Sequence, residues 1–121
     1  MQENTYGDFK KLLVWQRSRE LVVRIYYITQ KFPSEERFGL SSQLRRAAVS
    51  VPSNIAEGQR RASNKEFVQF LIIARGSLAE IETQLLIAQD LQYIPEKESI
   101  QFTNEIIEIG RILNGLIKSL Q

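Results

Sequence analysis

Apolar residues recur along most of the chain with the period of an α-helix, and the polar stretches between them are short. Between residues 12 and 32, Trp15, Val22, Ile25 and Phe32 fall near one face, with Leu21 and Ile28 beside them. Gln16, Arg17, Arg19, Glu20, Arg24 and Lys31 cover the other faces. Pro33 stops this first helix, because a proline disfavours the α region for the residue before it. After a polar link over 34–37, a second stripe runs through Leu40, Leu44, Ala47, Ala48, Val51 and Ile55. Pro52 lies inside it, removing one N–H and freeing the carbonyl of Ala48. The stripe keeps its phase to Ile55, so the spacing predicts a kinked helix and not a break. Ser50, Ser53 and Asn54 stand where their side chains can bond the freed backbone groups. Gly58 and the polar run to Ala62 end the element.

Ser63-Asn64-Lys65-Glu66 matches a capping box, with Ser63 as the cap and Glu66 reaching back. A heptad follows through Phe67, Leu71, Ala74, Leu78, Ile81, Leu85 and Ala88, the seam of a bundle or coiled coil. Phe70, Ile73 and Ser77 widen it toward a second neighbour. Gly76 costs about 1 kcal/mol relative to alanine in mid-helix, which the close approach of another helix would offset. Tyr93-Ile94-Pro95 makes the next turn, with Pro95 at a first helical position and Glu96 and Glu98 where the helix dipole favours acids. Phe102, Ile106, Ile109, Leu113, Leu116 and Leu120 form the last seam. Four helices joined by short links predict an all-α fold: an antiparallel up-and-down four-helix bundle over residues 12–121, with a loose polar arm over 1–11.

Composition then removes whole classes of chemistry. The chain contains no cysteine and no histidine, which excludes thiol nucleophiles, thiolate metal sites, disulfides and the commonest general base. Glu80 and Glu82 sit two apart on one helix and so face different ways, a poor start for a carboxylate metal site. No glycine-rich phosphate loop and no Ser-x-x-Lys spacing occurs. The reading is a non-enzyme with no cofactor and no metal. Without an apolar leader or a run of about 18 apolar residues, no membrane contact is expected and the location reads as cytoplasmic.

Net charge is only +2, but it is unevenly spread. Residues 37–75 carry seven basic and two acidic groups, and residues 76–121 carry three basic and seven acidic. Arg45, Arg46, Arg60, Arg61, Lys65 and Arg75 make the middle of the chain a candidate nucleic-acid-binding surface. A solvated helix end helped by the dipole is the plainer account of Arg60 and Arg61. Tyr26 and Tyr27 read as core edge or interface, not as stacking platforms. Arg46, Ser50, Ser53 and Glu57 recur at helical spacing as a polar stripe. With Gln43, Asn54 and Glu80 they form a candidate structural network supporting Pro52, with Glu80, Glu82 and Gln84 as partners for Arg45 or Arg46. The same stripe is also the one place where an enzyme site, around Arg46 and Glu57, could be sought.

Several segments together resemble a known family: Leu13-Val14-Trp15-Gln16, Phe32-Pro33, Gln43-Leu44-Arg45-Arg46-Ala47, the run from Ser50 to Gly58 reading Ser-Val-Pro-Ser-Asn-Ile-Ala-Glu-Gly, and Ala74-Arg75-Gly76-Ser77-Leu78-Ala79-Glu80. They resemble the bacterial 23S rRNA intervening-sequence proteins over nearly all of residues 9–120. The resemblance implies a four-helix bundle that assembles into a ring-like homopentamer. The chain also looks similar to the accessory proteins of diversity-generating retroelements, pentameric barrels that engage a reverse transcriptase and nucleic acid. The expected partners are therefore further copies of itself, RNA or DNA held through phosphates, or a protein such as a polymerase or reverse transcriptase. The basic and acidic segments suit a head-to-tail ring, and equally suit packing within one chain.

Overall fold

A computed structural model describes residues 8–121. It is all-α: no strand occurs among the described residues, and the four helices are α1 (Leu13–Thr29), α2 (Leu40–Gln59), α3 (Asn64–Asp90) and α4 (Glu96–Leu120). Most of the expected arm, residues 1–7, lies outside the described residues. Phe9–Lys11 form a short 3-10 turn against α1 and α2, and Ser34–Glu36 form another in the link between those helices. Each helix packs on its neighbours in the chain, α1 also meets α4, and the diagonal pairs do not approach. Facing residues along α2 and α3 run in opposite order, Gln43 beside Gln84, Ser50 beside Ser77, and Gly58 beside Phe67 and Phe70.

The core follows from the heptads. All seven positions of the α3 seam are buried, from Phe67 to Ala88. In α1 the buried line is Val14, Ser18, Leu21, Ile25 and Ile28, continued by Phe32 just past its end, so Trp15 and Val22 flank the core instead of centring it. The offset has a clear cause: a serine occupies one core position. Ser18 is fully buried and its hydroxyl donates to the Val14 carbonyl at 2.6 Å, which removes the cost of burying it. In α4 the seam runs through Leu113 to Ile117, while Leu116 and Leu120 are only partly covered.

α2 is continuous through Pro52. The Asn54 amide does bond a carbonyl nearby, but it is that of Ser50 at 2.8 Å and not that of Ala48. The helix continues past Gly58 to Gln59, and Gly58 has a role other than termination. A Cβ there would lie 2.7 Å from Phe70 Cβ and 3.0 Å from the Phe67 ring, so the missing side chain lets α2 and α3 approach closely. Gly76 is the reverse of the sequence expectation. Among the described residues, no atom beyond its own stretch of helix lies within 4 Å of where its Cβ would be.

The ends are held by specific bonds. Ser63 Oγ accepts from Glu66 N–H at 3.2 Å, one half of the expected capping box. At α2 the Glu36 carboxylate accepts from Leu40 N–H at 3.1 Å, and it also accepts from the Tyr93 hydroxyl at 2.9 Å. One acid thus caps a helix and ties down the α3–α4 turn. That turn places Gln92 in the left-handed region at φ 65°, with the Tyr93 N–H donating to the Ala88 carbonyl at 2.8 Å. Pro95 is the cap residue before α4 rather than its first residue.

Candidate nucleic-acid interface

The six cations singled out from sequence do not form one patch. Arg45 and Arg46 lie near the start of α2, while Arg60, Arg61 and Lys65 lie around the α2–α3 turn. Arg75 projects from α3 toward α4, where its guanidinium donates to Asn114 Oδ1 at 3.0 Å. Arg61 pairs with Glu57 one turn back at 2.8 Å and covers the Phe70 ring, a local arrangement at a helix end. No ion pair joins Arg45 or Arg46 to Glu80 or Glu82.

The polar stripe divides in the same way. Ser50 shares a hydrogen bond with Ser77 of α3 at 2.9 Å, and Asn54 donates to Ser50 Oγ at 3.0 Å. That three-residue cluster couples α2 to α3. Glu57 belongs to Arg61, and Ser53 is exposed along the α1–α2 groove. Arg46 and Glu57 are both exposed and unpaired with each other, so the stripe does not assemble a paired acid–base site. Among the described residues no cluster of acids could hold a metal ion.

What the fold does assemble is an alternation of rings and guanidinium groups along α1 and α2. Arg60 lies 5.1 Å from the Phe9 ring, Phe9 lies 5.2 Å from Trp15, and Arg19 lies 5.3 Å from Trp15. Further along, Arg45 covers Tyr26 at 4.6 Å, with its Nε donating to Thr29 Oγ1 at 2.8 Å. At the far end Arg37 lies 5.1 Å from Phe38, whose ring is 87% exposed. Two depressions connect these groups. One holds Trp15, Arg19, Val23, Val49, Pro52 and Ser53 in about 350 Å³; the other holds Tyr26, Arg37, Phe38, Arg45, Arg46 and Val49 in about 490 Å³. They share Val49, and neither is lined by an acid. From Trp15 to Tyr26 the track covers about 17 Å at 1.5 Å per residue.

Each ring keeps a guanidinium in place by the attraction of a cation for an aromatic face, worth about 0.5–1 kcal/mol at exposed sites. Together they give a positive groove with aromatic faces at intervals, the combination that holds single-stranded nucleic acid. Arg19, Arg37, Trp15 and Phe38 are not among the candidate nucleic-acid-binding residues read from the sequence. Their signal was an arginine four residues after, or next to, an aromatic, which composition alone does not reveal.

Two acids of the C-terminal part are engaged with α1. Glu105 pairs with Arg24 and Glu108 pairs with Arg17, at 2.7 Å, both between α4 and α1. The Arg17 guanidinium is held above its ordinary pKa by the hydrogen bond to Glu108. Another depression, about 680 Å³, surrounds the Arg24–Glu105 pair, and its Glu20 and Glu105 suit phosphate poorly. No helix among the described residues is long and apolar enough to cross a membrane.

A family model described as 23S rRNA-intervening sequence protein matches residues 10–115 of this chain. Comparison with curated proteins gives no match. Among solved structures, the chain is similar to the crystal structure of a protein with unknown function from the S23 ribosomal protein family of Bacteroides thetaiotaomicron VPI-5482. The two are 29% identical with a TM-score of 0.81, over 88% of this chain and 96% of that one. Neither description names an enzymatic activity.

Proposed function

This chain belongs to the 23S rRNA-intervening sequence protein family, and on that premise we propose that it is a non-catalytic scaffold that holds single-stranded nucleic acid with low affinity along a track that does not itself distinguish bases. The observation that carries this reading is the alternation of rings and guanidinium groups along α1 and α2, with Trp15, Arg19, Tyr26 and Arg45 beside two depressions that no acid lines. Backbone phosphates meet the guanidinium groups and bases of any identity stack on the rings. The affinity of one such track is modest, and several tracks on one particle raise it by avidity.

Assembly into a ring of copies completes the proposal. Its support is the outward face of α3, where Ile72, Ile73, Leu86 and Ile87 are all more than 40% exposed around Gly76 and Ala79. Ile100 and Ile107 of α4 are similarly bare. A helix from another copy supplies the close neighbour that Gly76 lacks within its own chain. The same face favours a second reading, a protein-only adaptor subunit for a polymerase or reverse transcriptase.

Anisotropy of a labelled single-stranded RNA or DNA 12-mer, titrated with protein between 50 and 300 mM salt, tests the first reading. Binding that weakens steeply with salt is expected, and Arg45→Ala lowers the slope by about one. Absence of binding at the lowest salt overturns it and leaves the adaptor reading. Light scattering tests the ring, and a monomer at micromolar concentration overturns that part.

A further inference from the structure

At its Phe38 end the track meets a second, different depression. This cleft of about 600 Å³ lies between the start of α2 and the middle of α3, and Phe38, Gln43, Arg46, Ser50, Glu80 and Gln84 line it. Phe38 and Arg46 border both the track and the cleft, so a strand leaving the track at Arg37 can turn into it. Unlike the track, the cleft is rich in hydrogen-bonding side chains whose capacity is largely unused. Gln84 Nε2 reaches Gln43 Oε1 only at 3.5 Å, the outer limit of a bond. Gln84 Oε1 is shielded from solvent and has no donor at all. Arg46 and Glu80 make no hydrogen bond or ion pair among the described residues. Ser50 alone is engaged, through Ser77 and Asn54.

We infer that this cleft takes one unpaired nucleobase bearing an exocyclic amino group, stacked on Phe38, with Arg46 at its phosphate; the inference rests on the single-strand reading above and adds base discrimination to it. The stacking partner is the most exposed large apolar side chain described, and one guanidinium, that of Arg37, already lies beside it. A buried amide oxygen without a donor is costly, so turning the Gln84 amide toward a base N–H is favourable. The unused acceptors, Glu80 and Gln84 Oε1, select the amino groups of adenine, cytosine or guanine. Uracil and thymine present carbonyls at the corresponding positions, which Glu80 and Gln84 Oε1 repel.

The test measures affinities of the intact chain for RNA 12-mers of adenylate, cytidylate and uridylate at 50 mM salt. The wild type is expected to bind the first two at least tenfold more tightly than the third. Phe38→Ala should weaken adenylate binding by roughly five- to 150-fold, the range for one stacked base, with the salt slope unchanged. Glu80→Ala, at an exposed position that folding does not need, should reduce the preference over uridylate. Equal affinity for all three oligomers, or no loss with Phe38→Ala, overturns the base-reading cleft while leaving the track intact. A change of particle mass in Phe38→Ala by light scattering also overturns it, since the ring then belongs to a contact between copies. If no oligomer binds at all, both the cleft and the track fail.

Discussion

Replacing Gly58 with alanine is a sharp test of how α2 meets α3. In an open helix interior the change is favourable by about 1 kcal/mol. At Gly58 the new Cβ would stand 2.7 Å from Phe70 Cβ, 3.0 Å from Phe67 Cδ1 and 3.3 Å from the Phe67 carbonyl oxygen. The Phe67 ring can rotate slightly, but Phe70 Cβ cannot move without its backbone. Carbon atoms rest at about 3.5–4.0 Å, so α3 must retreat by roughly 1 Å along a seam that is otherwise closed. Overpacking of this kind costs about 1–3 kcal/mol, and a backbone-anchored clash belongs in the upper half of that range. Subtracting the helix gain leaves a net loss of about 1–2 kcal/mol. Gly110→Ala is the control, since no described residue beyond its own stretch of helix lies within 4 Å of its Cβ position, and it should gain up to about 1 kcal/mol. Urea unfolding at one fixed protein concentration reads both. With a slope of about 1–3 kcal/mol per molar urea, the Gly58→Ala midpoint should fall by roughly 0.5–1 M and the control midpoint should rise. If the two midpoints rise together, α2 and α3 are not in close contact at Gly58 and the packing described above is wrong.

Other expectations follow from the helix ends. Ser63→Ala removes the cap of α3 and should cost about 1 kcal/mol, read as a lower melting temperature; no change would mean the hydroxyl caps nothing. Gln92→Gly relieves a left-handed residue at φ 65° and should stabilise by about 1 kcal/mol, so a destabilised variant would contradict the turn geometry. The hydrogen bond to Glu36 holds the Tyr93 phenol above its ordinary pKa of 10.0. The unfolded chain therefore loses that proton first, and the stability this bond contributes is complete below pH 10 and fades as the pH rises toward the folded value. Thermal melts from pH 8 to 11 should show a steeper decline for the wild type than for Tyr93→Phe, and parallel profiles would remove Tyr93 from the linkage.

The regular parts of this fold are legible because a periodic apolar pattern reports burial directly. The α3 seam reads without error since all seven of its heptad positions carry apolar side chains. α1 misleads at Ser18, where a hydroxyl bonded to its own helix replaces an apolar residue and shifts the apparent centre toward Trp15. The two glycines exchange roles for a related reason. A glycine's meaning lies in what is opposite it, and Phe67 and Phe70 face Gly58 only after the chain folds back. The candidate site is less legible than the fold. Arg45 and Arg60 stand out as charges, but their placement over Tyr26 and Phe9 depends on contacts between elements. Glu36 is ambiguous in the sequence for the same reason, with its two bonds going to residues 4 and 57 positions away.

The order in which the helices pack has a mechanical consequence. Three of the four seams join consecutive helices, and only the edge between α1 and α4 joins distant parts of the chain. That edge has the thinnest packing and is closed by the Arg17–Glu108 and Arg24–Glu105 pairs. The molecule is built like a book, with α2 and α3 as its spine and two ionic clasps on the open side. Folding can proceed page by page through near contacts, with the clasps fastening last. Ionic strength, which weakens clasps more than spine, then sets how often the book falls open.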